Sequence, residues 1–230
     1  MTPTPTTPLT SQALIAYWKM DEGSSNSVSD SSGNGNDLII YGNPVWSVVV
    51  PPTSISDSYS LLFDGSTYGQ LVDSLKNSNF NFTTGLTIEA WIKPQSNDSA
   101  ILSKFAGAGY LMWFRTNSVV NFIDGSLASA TSNLVNSQWH HVAMTWDGSN
   151  QAIYVDGVRE GDLVSHTTPP STGGSLLLGS YNPAQYNFIG NMDEIKVYNY
   201  ARSQSEILSD AGIVGSVVIN EIMWSGSNSV

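Results

Sequence analysis

Residues 30–36 read Asp-Ser-Ser-Gly-Asn-Gly-Asn, with oxygen-bearing side chains at alternate positions and a glycine sixth. That is the spacing of the first half of a calcium loop, in which hard oxygen ligands alternate and a glycine permits the sharp turn. The twelfth position, which should bring a bidentate Glu, is Tyr41. The stretch is therefore either half of a metal site completed from elsewhere in the chain, or a surface turn in which Gly and Asn supply positive φ. As half a site it offers Asp30, Asn36 and a carbonyl from Gly33 or Asn34.

Other chemistry is sparse. Glycoside hydrolysis needs two carboxylates facing each other across the scissile bond, which a strand encodes as acids two or four residues apart. Glu89 stands alone on its strand, and its expected role is a solvent-facing residue or a hydrogen-bond partner at the core edge; pairing with Asp124 or Asp147 across strands stays open. His140 and His141 are adjacent, so they point to opposite faces of a strand and cannot share a ligand. His166 lies in a loop with no partner in view. No nucleophile elbow, phosphate-cradling glycine loop or metal-histidine motif occurs. The expectation is a chain without catalytic residues.

Binding is better provided for. The chain holds seven Trp, ten Tyr and seven Phe, and ring faces exposed beside amides suit the apolar face of a sugar. Loop contexts single out Tyr110 after Gly-Ala-Gly, Tyr68 after Ser-Thr, and above all residues 180–190, where Tyr181, Asn182 and Tyr186 stand beside Gln185, Asn187 and a proline. The alternative is that these rings tuck against a sheet edge.

The bulk numbers bound the partners. Eight basic residues against nineteen acidic ones give a formal charge of −11 over 230 residues. Without a Lys/Arg cluster there is nothing to hold a nucleic-acid backbone. No stretch approaches about 18 apolar residues, so membrane insertion through a helix is not expected. The absence of cysteine removes disulfides and thiolate metal sites, as is ordinary for extracellular bacterial domains.

The elements that would position these residues are strands. In residues 85–94, Leu86, Ile88, Ala90 and Ile92 share one face, while Thr87, Glu89, Trp91 and Lys93 share the other. Strand patterns recur at 14–20, 59–65, 69–73, 100–105, 110–116, 118–124, 138–148, 151–160, 174–180 and 192–199, and Asp156-Gly157 reads as a hairpin turn. One helix is expected after Ser203, whose pairing with Glu206 is a capping box, ending at Gly212. Many short strands without a βαβ rhythm predict an all-β antiparallel sandwich of jelly-roll type. Residues 1–11 form a Pro/Thr-rich linker pattern that favours extended conformations, 12–212 the domain, and 213–230 a tail or the start of a following domain.

An ordered set of segments carries a family resemblance: LIAYWKMDEGSSNSVSDSSGNGNDL (14–38), SLLFDG (60–65), LTIEAWIKP (86–94), WHHVAMTWDGSNQAIYVDGV (139–158), LLLGS (176–180) and GNMDEIKVYNYARSQSEI (190–207). Over roughly residues 12–212 the chain resembles the laminin-G-like, concanavalin A-like jelly-roll domains found in large secreted bacterial proteins. The resemblance implies two sheets face to face, with first and last strands adjacent. It also implies one structural calcium, held by an Asp opening the last strand, matched here by Asp193, and by an early acid, Glu22 with Asp21 behind it, together with the loop of Asp30, Gly33 and Asn36. Three acids drawn from distant segments repel unless a cation sits among them. The tail VVINEIMW (217–224) resembles the opening of a lamin-tail-type domain. The role implied is a secreted or cell-surface, calcium-stabilised binding module for carbohydrate or another surface ligand, alongside other domains of its parent chain. The alternatives are a structural spacer and, less favoured, a glycan-active enzyme.

Overall fold

The computed structural model describes residues 13–53, 56–182 and 185–212; the linker at 1–11 and the tail at 213–230 lie outside them. Two antiparallel sheets carry the fold. The first contains β1 (Leu14–Trp18), β4 (Val45–Ser47), β5 (Ser60–Asp64), β7 (Leu86–Pro94), β12 (His140–Trp146), β13 (Asn150–Val155), β14 (Val158–Ser165) and β16 (Ile189–Tyr198). Its order is β14-β13-β12-β7-β16-β5-β4, with β1 also paired to β16. The second contains β2 (Ser27–Val28), β3 (Leu38–Tyr41), β6 (Tyr68–Leu71), β8 (Ser99–Phe105), β9 (Gly109–Arg115), β10 (Ser118–Ile123), β11 (Ser126–Ser129) and β15 (Leu176–Leu178), ordered β11-β10-β9-β8-β15-β6-β3-β2. This is the expected jelly-roll sandwich, with the first strand lying beside the last.

The period-2 pattern explains the core. Leu86, Ile88, Ala90 and Ile92 enter the inter-sheet core, where they join Trp18, Phe63, Phe114, Trp146 and Phe188. The opposite face of β7 is also buried, because the chain after β16 crosses over it. Glu89, one expected role of which was solvent-facing, is fully buried; Arg202 Nη1 donates to it at 2.8 Å and His141 Nε2 lies 3.3 Å away. A small second core of Ala143, Ala152, Tyr154 and Ile207 seats the one α-helix among the described residues, α1 (Gln204–Asp210), on this face.

Ser203 caps α1 with the full capping box: its hydroxyl accepts the Glu206 N–H while the Glu206 carboxylate accepts the Ser203 N–H. A seven-residue helix supplies little stability of its own, so Ser203→Ala is expected to cost about 1 kcal/mol, read as a lower urea midpoint. A 3₁₀ helix at Ser74–Phe80, capped by Asp73, was not anticipated from sequence.

The candidate calcium site and the aromatic groove

The loop of residues 30–36 folds back onto β1 as a closed hydrogen-bonded turn. The Asp30 carboxylate accepts from the backbone N–H groups of Tyr17 (3.0 Å), Ser32 (2.9 Å) and Asn36 (2.9 Å) and from the Ser32 hydroxyl (2.8 Å). Partial burial opposes ionisation, but these donors hold the carboxyl below the usual range. Asn36 is fully buried; its amide donates to Ile15 O, its Oδ1 accepts from Asn79, and its carbonyl accepts the Trp18 indole N–H. Gly33 supplies a positive φ of 87°. Asp30 and Asn36, expected to complete a site with Asp193, here direct these polar groups into holding the turn against β1.

Asp193 has other company. Register along β16 slips between Asp193, opposite Trp91, and Lys196, opposite Glu89, which inserts an extra residue on β16. Glu194 takes φ = 50° there, so the bulge re-aims consecutive acids. Asp193 is fully buried; one oxygen accepts the Glu194 N–H at 2.9 Å and the other has no partner. Asp57, ahead of β5, has both carboxylate oxygens buried without a donor. Its carboxyl meets those of Asp21 and Asp193, while Asp21 also accepts the backbone N–H groups of Ser58 and Tyr59. Burial, then the Asp57 charge, pushes Asp193 up to about 10. Burial, then Asp21, pushes Asp57 up to about 6. Glu22 accepts the Ser29 N–H with one oxygen and leaves the other buried and bare.

Carboxylates with orphaned, buried oxygens fit a hard divalent cation, which replaces the missing donors. Among the described residues, however, no three Asp, Glu or His side chains form a ready ligand group. The acids meet pairwise, through Asp57, so a full shell would also draw on carbonyls and water. Asp57 escaped sequence reading because nothing local marks it; only the pairing of β5 with β16 brings it to Asp193.

The second feature is a groove of about 530 Å³ on the outer face of the second sheet. On β9, Tyr110, Met112 and Phe114 enter the core, so Leu111, Trp113 and Arg115 face outward. Leu111 pairs with Phe122, which pairs with Leu127, and Phe105 lies in edge contact with Phe122 at 5.5 Å. The loop after β15 folds over this surface. Tyr181 packs on Phe105 and Trp113, each at 5.6 Å, and Tyr186 packs on Trp113 at 4.9 Å. The loop is sewn to a bulge in β8: Ala100 N–H donates to Tyr186 O, and Gly179 N–H donates to Ile101 O. Tyr186 remains 47% exposed. Asp98, Arg115 and Gln185 add polar groups to the lining.

Of the residues expected to bind a ligand, the structure thus brings Tyr181 and Tyr186 together. Asn182 forms the neck of their loop, its carbonyl accepting the Gln185 N–H at 3.0 Å. Tyr110 is a correction: it is 1% exposed in the core, and its hydroxyl donates to Phe80 O. Phe105, Trp113 and Phe122 were missed. The available signal was that β9 is apolar on both alternations, which for a sheet with one outer face means an uncovered apolar surface.

His140 and His141 both hold the turn that follows β13. His140 Nδ1 lies 2.8 Å from Asp156 Oδ2, and the His141 N–H donates to the other oxygen of Asp156. Asp156 and Gly157, at φ 49° and 77°, form the expected hairpin turn. Among the described residues, no helix is long and apolar enough to cross a membrane.

Comparison with known proteins agrees with this architecture. A laminin-G-type family model, described as the concanavalin A-like lectin/glucanases superfamily, matches residues 63–208. A rat protein containing sushi, von Willebrand factor type A, EGF and pentraxin domains is 30% identical over 83 residues; the chain spans only 2% of that relative's length. Domain 4 of AbnA, an extracellular GH43 arabinanase from Geobacillus stearothermophilus, solved in complex with arabinotriose, superposes with a TM-score of 0.60 at 19% identity, covering 87% of this chain and 98% of that one. The binding domain of Paraclostridial Mosquitocidal Protein 1 gives 0.61 at 16% identity, covering 86% of this chain and 51% of that one. The binding domain of botulinum neurotoxin DC, solved in complex with SialylT, gives 0.60 at 14% identity, covering 89% and 52%.

Proposed function

The chain belongs to the laminin-G-type branch of the concanavalin A-like lectin/glucanase superfamily, and from that premise we propose that it is a non-catalytic, extracellular glycan-binding module whose ligand lies in the Trp113–Tyr181–Tyr186 groove. The observation that carries this reading is the mutual packing of those three rings on an outer sheet face, beside Asp98, Arg115 and Gln185. Ring faces take the apolar side of a sugar, and the carboxylate, guanidinium and amide bond its hydroxyls. The groove's volume is that of a small-ligand site. Support comes also from the solved structures of similar fold, which include domains in complex with arabinotriose and with SialylT. The reading places the module on a secreted or surface-attached bacterial protein, acting in adhesion or substrate targeting.

Calcium is part of the same proposal. Asp193 and Asp57, with Asp21 beside them, hold the ion through their unpartnered oxygens, and Glu22 is a further candidate. The ion would neutralise a buried acidic cluster and tie β1, β5 and β16 together. Its role is structural, since the groove lies on the other sheet.

The test is binding of a neutral oligosaccharide panel, with arabinotriose as the first probe, to wild type, Trp113→Ala and Tyr186→Ala. A central aromatic anchor is worth about 2 kcal/mol or more, so Trp113→Ala is expected to weaken binding roughly 30-fold or more with little change in circular dichroism. Tyr186 is largely exposed, so its replacement should lower affinity without affecting folding. Undiminished binding by Trp113→Ala would remove the groove from the ligand's path. A panel with no ligand for wild type would remove the glycan reading altogether.

A further inference from the structure

A second pair of aromatic rings shares the outer face of the sheet that carries the groove. Tyr41 on β3 and Tyr68 on β6 are ladder partners whose rings stack at 5.0 Å with planes 14° apart. Tyr41 is 44% exposed. Their neighbours Ile40 and Gly69 face the core, Gly69 against Leu38, Ile40 and Leu178, so Tyr41 and Tyr68 project the other way.

Register places this pair in line with the groove. Gly69 pairs with Leu178, Leu178 with Leu102, and Leu102 with Met112. One position further along each strand lie Tyr68, Gly179, the Ala100–Ile101 bulge and Trp113. Gly179 N–H donates to Ile101 O at 2.7 Å, and Ala100 pairs with Trp113, which confirms the row. Tyr68 is thus three strands from Trp113 and Tyr41 four, or about 14 and 19 Å at ~4.8 Å per strand. Tyr181, two residues beyond Gly179, packs on Trp113 and Phe105. The residues sharing the outer face at this end, Ile39, Tyr41, Tyr68, Gln70 and Leu177, carry no charge. The chain's net charge of −11 disfavours a polyanion at long range.

We propose that Tyr41 and Tyr68 form a second subsite, continuous with the Trp113 groove, and that together they select an extended neutral oligosaccharide over a terminal sugar. The proposal rests on the glycan reading of the groove. Two stacking stations separated by three to four strands cannot both be met by one ring; a linked chain crossing the strands meets both, and the second contact is then intramolecular in effect. Gln70, two residues along β6 from Tyr68, offers an amide to the chain's hydroxyls beside the ring pair.

The experiment is calorimetric titration of arabino-, xylo- and cello-oligosaccharides from disaccharide to hexasaccharide into wild type, Tyr41→Ala, Tyr41→Ala/Tyr68→Ala, and Trp113→Ala. In the series that binds, wild-type affinity should rise at least tenfold between disaccharide and hexasaccharide. Tyr41→Ala should remove part of that gain, and the double variant nearly all of it, leaving disaccharide affinity unchanged. Trp113→Ala should weaken every length. Equal wild-type affinities for short and long chains would overturn the second subsite while leaving the groove intact. So would a hexasaccharide affinity that Tyr41→Ala, whose exposed ring makes it safe for folding, leaves untouched. Absence of binding at every length in all three series would overturn the glycan reading and this inference together.

Discussion

Replacing Arg202 with methionine is expected to lower stability by about 3–5 kcal/mol, because it strands a buried carboxylate. Glu89 sits on β7 with no exposed surface, and the Arg202 guanidinium is the cation that donates to it, at 2.8 Å. His141 Nε2 is near, at 3.3 Å, but the Glu89 oxygen it faces has no aligned hydrogen bond. The guanidinium also reaches Asp210 at the end of α1 and lies 4.4 Å from the centre of the Tyr198 ring. Its own backbone N–H donates to Thr87 Oγ1, whose hydroxyl donates to Tyr200 O. One side chain therefore fastens the segment after β16, and the helix that follows, onto the first sheet. At about 2–4 °C per kcal/mol for a domain of this size, the melting temperature should fall by roughly 6–20 °C. The diagnostic comparison is Glu89→Gln/Arg202→Met. With the stranded charge gone, the double variant should melt above Arg202→Met, although it has lost more native groups. Denaturant titrations of the three proteins measure this. A loss under 1 kcal/mol for Arg202→Met would mean that Glu89 finds a proton or another cation, and the network would not be the fastening described.

The reach of the sequence follows from what kind of information each feature needs. The alternation in β7 names its core face correctly because Leu86, Ile88, Ala90 and Ile92 are apolar, whereas of the four residues alternating with them Thr87, Glu89 and Lys93 are polar or charged. In β9 the same rule fails: Tyr110-Leu111-Met112-Trp113-Phe114 is apolar at every position, so period 2 cannot say which side is out. A one-residue parity error exchanges the two faces of a strand, so Trp113 stays unassigned, and Tyr110 is placed at the surface from its loop-like context after Gly-Ala-Gly alone. The helix was legible to its cap because a capping box is local. Short strands such as Val45–Ser47 carry too few residues to show a period. The polar β14 reads as the tail of its hairpin rather than as an edge strand. The glycine-rich loop is ambiguous for a different reason. Oxygen side chains with calcium-loop spacing also suit a turn that satisfies its own backbone, and Asp30 accepts four hydrogen bonds within reach of its own loop and β1. Whether such a carboxylate is left free for a cation depends on where its donors fold. Asp193 was legible from the resemblance, whereas Asp57 depends on the approach of β5 to β16.

Metal-free protein is expected to lose stability as pH rises from about 4 to 7, and calcium to reverse that loss. Asp57 and Asp193 have native pKa values raised to about 6 and about 10, against about 3.9 for an unfolded Asp. Between those limits the native state binds more protons than the unfolded state, so the slope of unfolding free energy with pH is negative. The effect is absent below about pH 4, where both states are protonated. It grows through pH 6 as Asp57 must ionise or hold its proton at a cost, and continues toward pH 10 for Asp193. This is opposite in sign to the usual salt-bridged carboxylate. A divalent cation bound to the cluster displaces those protons and removes the repulsion that retained them. At a hundredfold excess over its dissociation constant it would add about 2.7 kcal/mol, or on the order of 5–10 °C at about 2–4 °C per kcal/mol. Thermal melts in EDTA and in millimolar calcium chloride, at pH 4.5 and 7.5, separate the two effects. Asp193→Asn should stabilise the metal-free protein at pH 7.5, since an amide is buried neutral without the proton that Asp193 must take up on folding at that pH, and should abolish the calcium response. Coincident melting curves with and without calcium at pH 7.5 would refute the ion. A wild-type stability in EDTA that climbs between about pH 6 and 8, above the range in which the lowered carboxyls of Asp30, Asp64, Glu160, Glu206 and Asp210 contribute, would show that Asp57 and Asp193 take up no protons on folding, leaving no acidic repulsion for a cation to relieve.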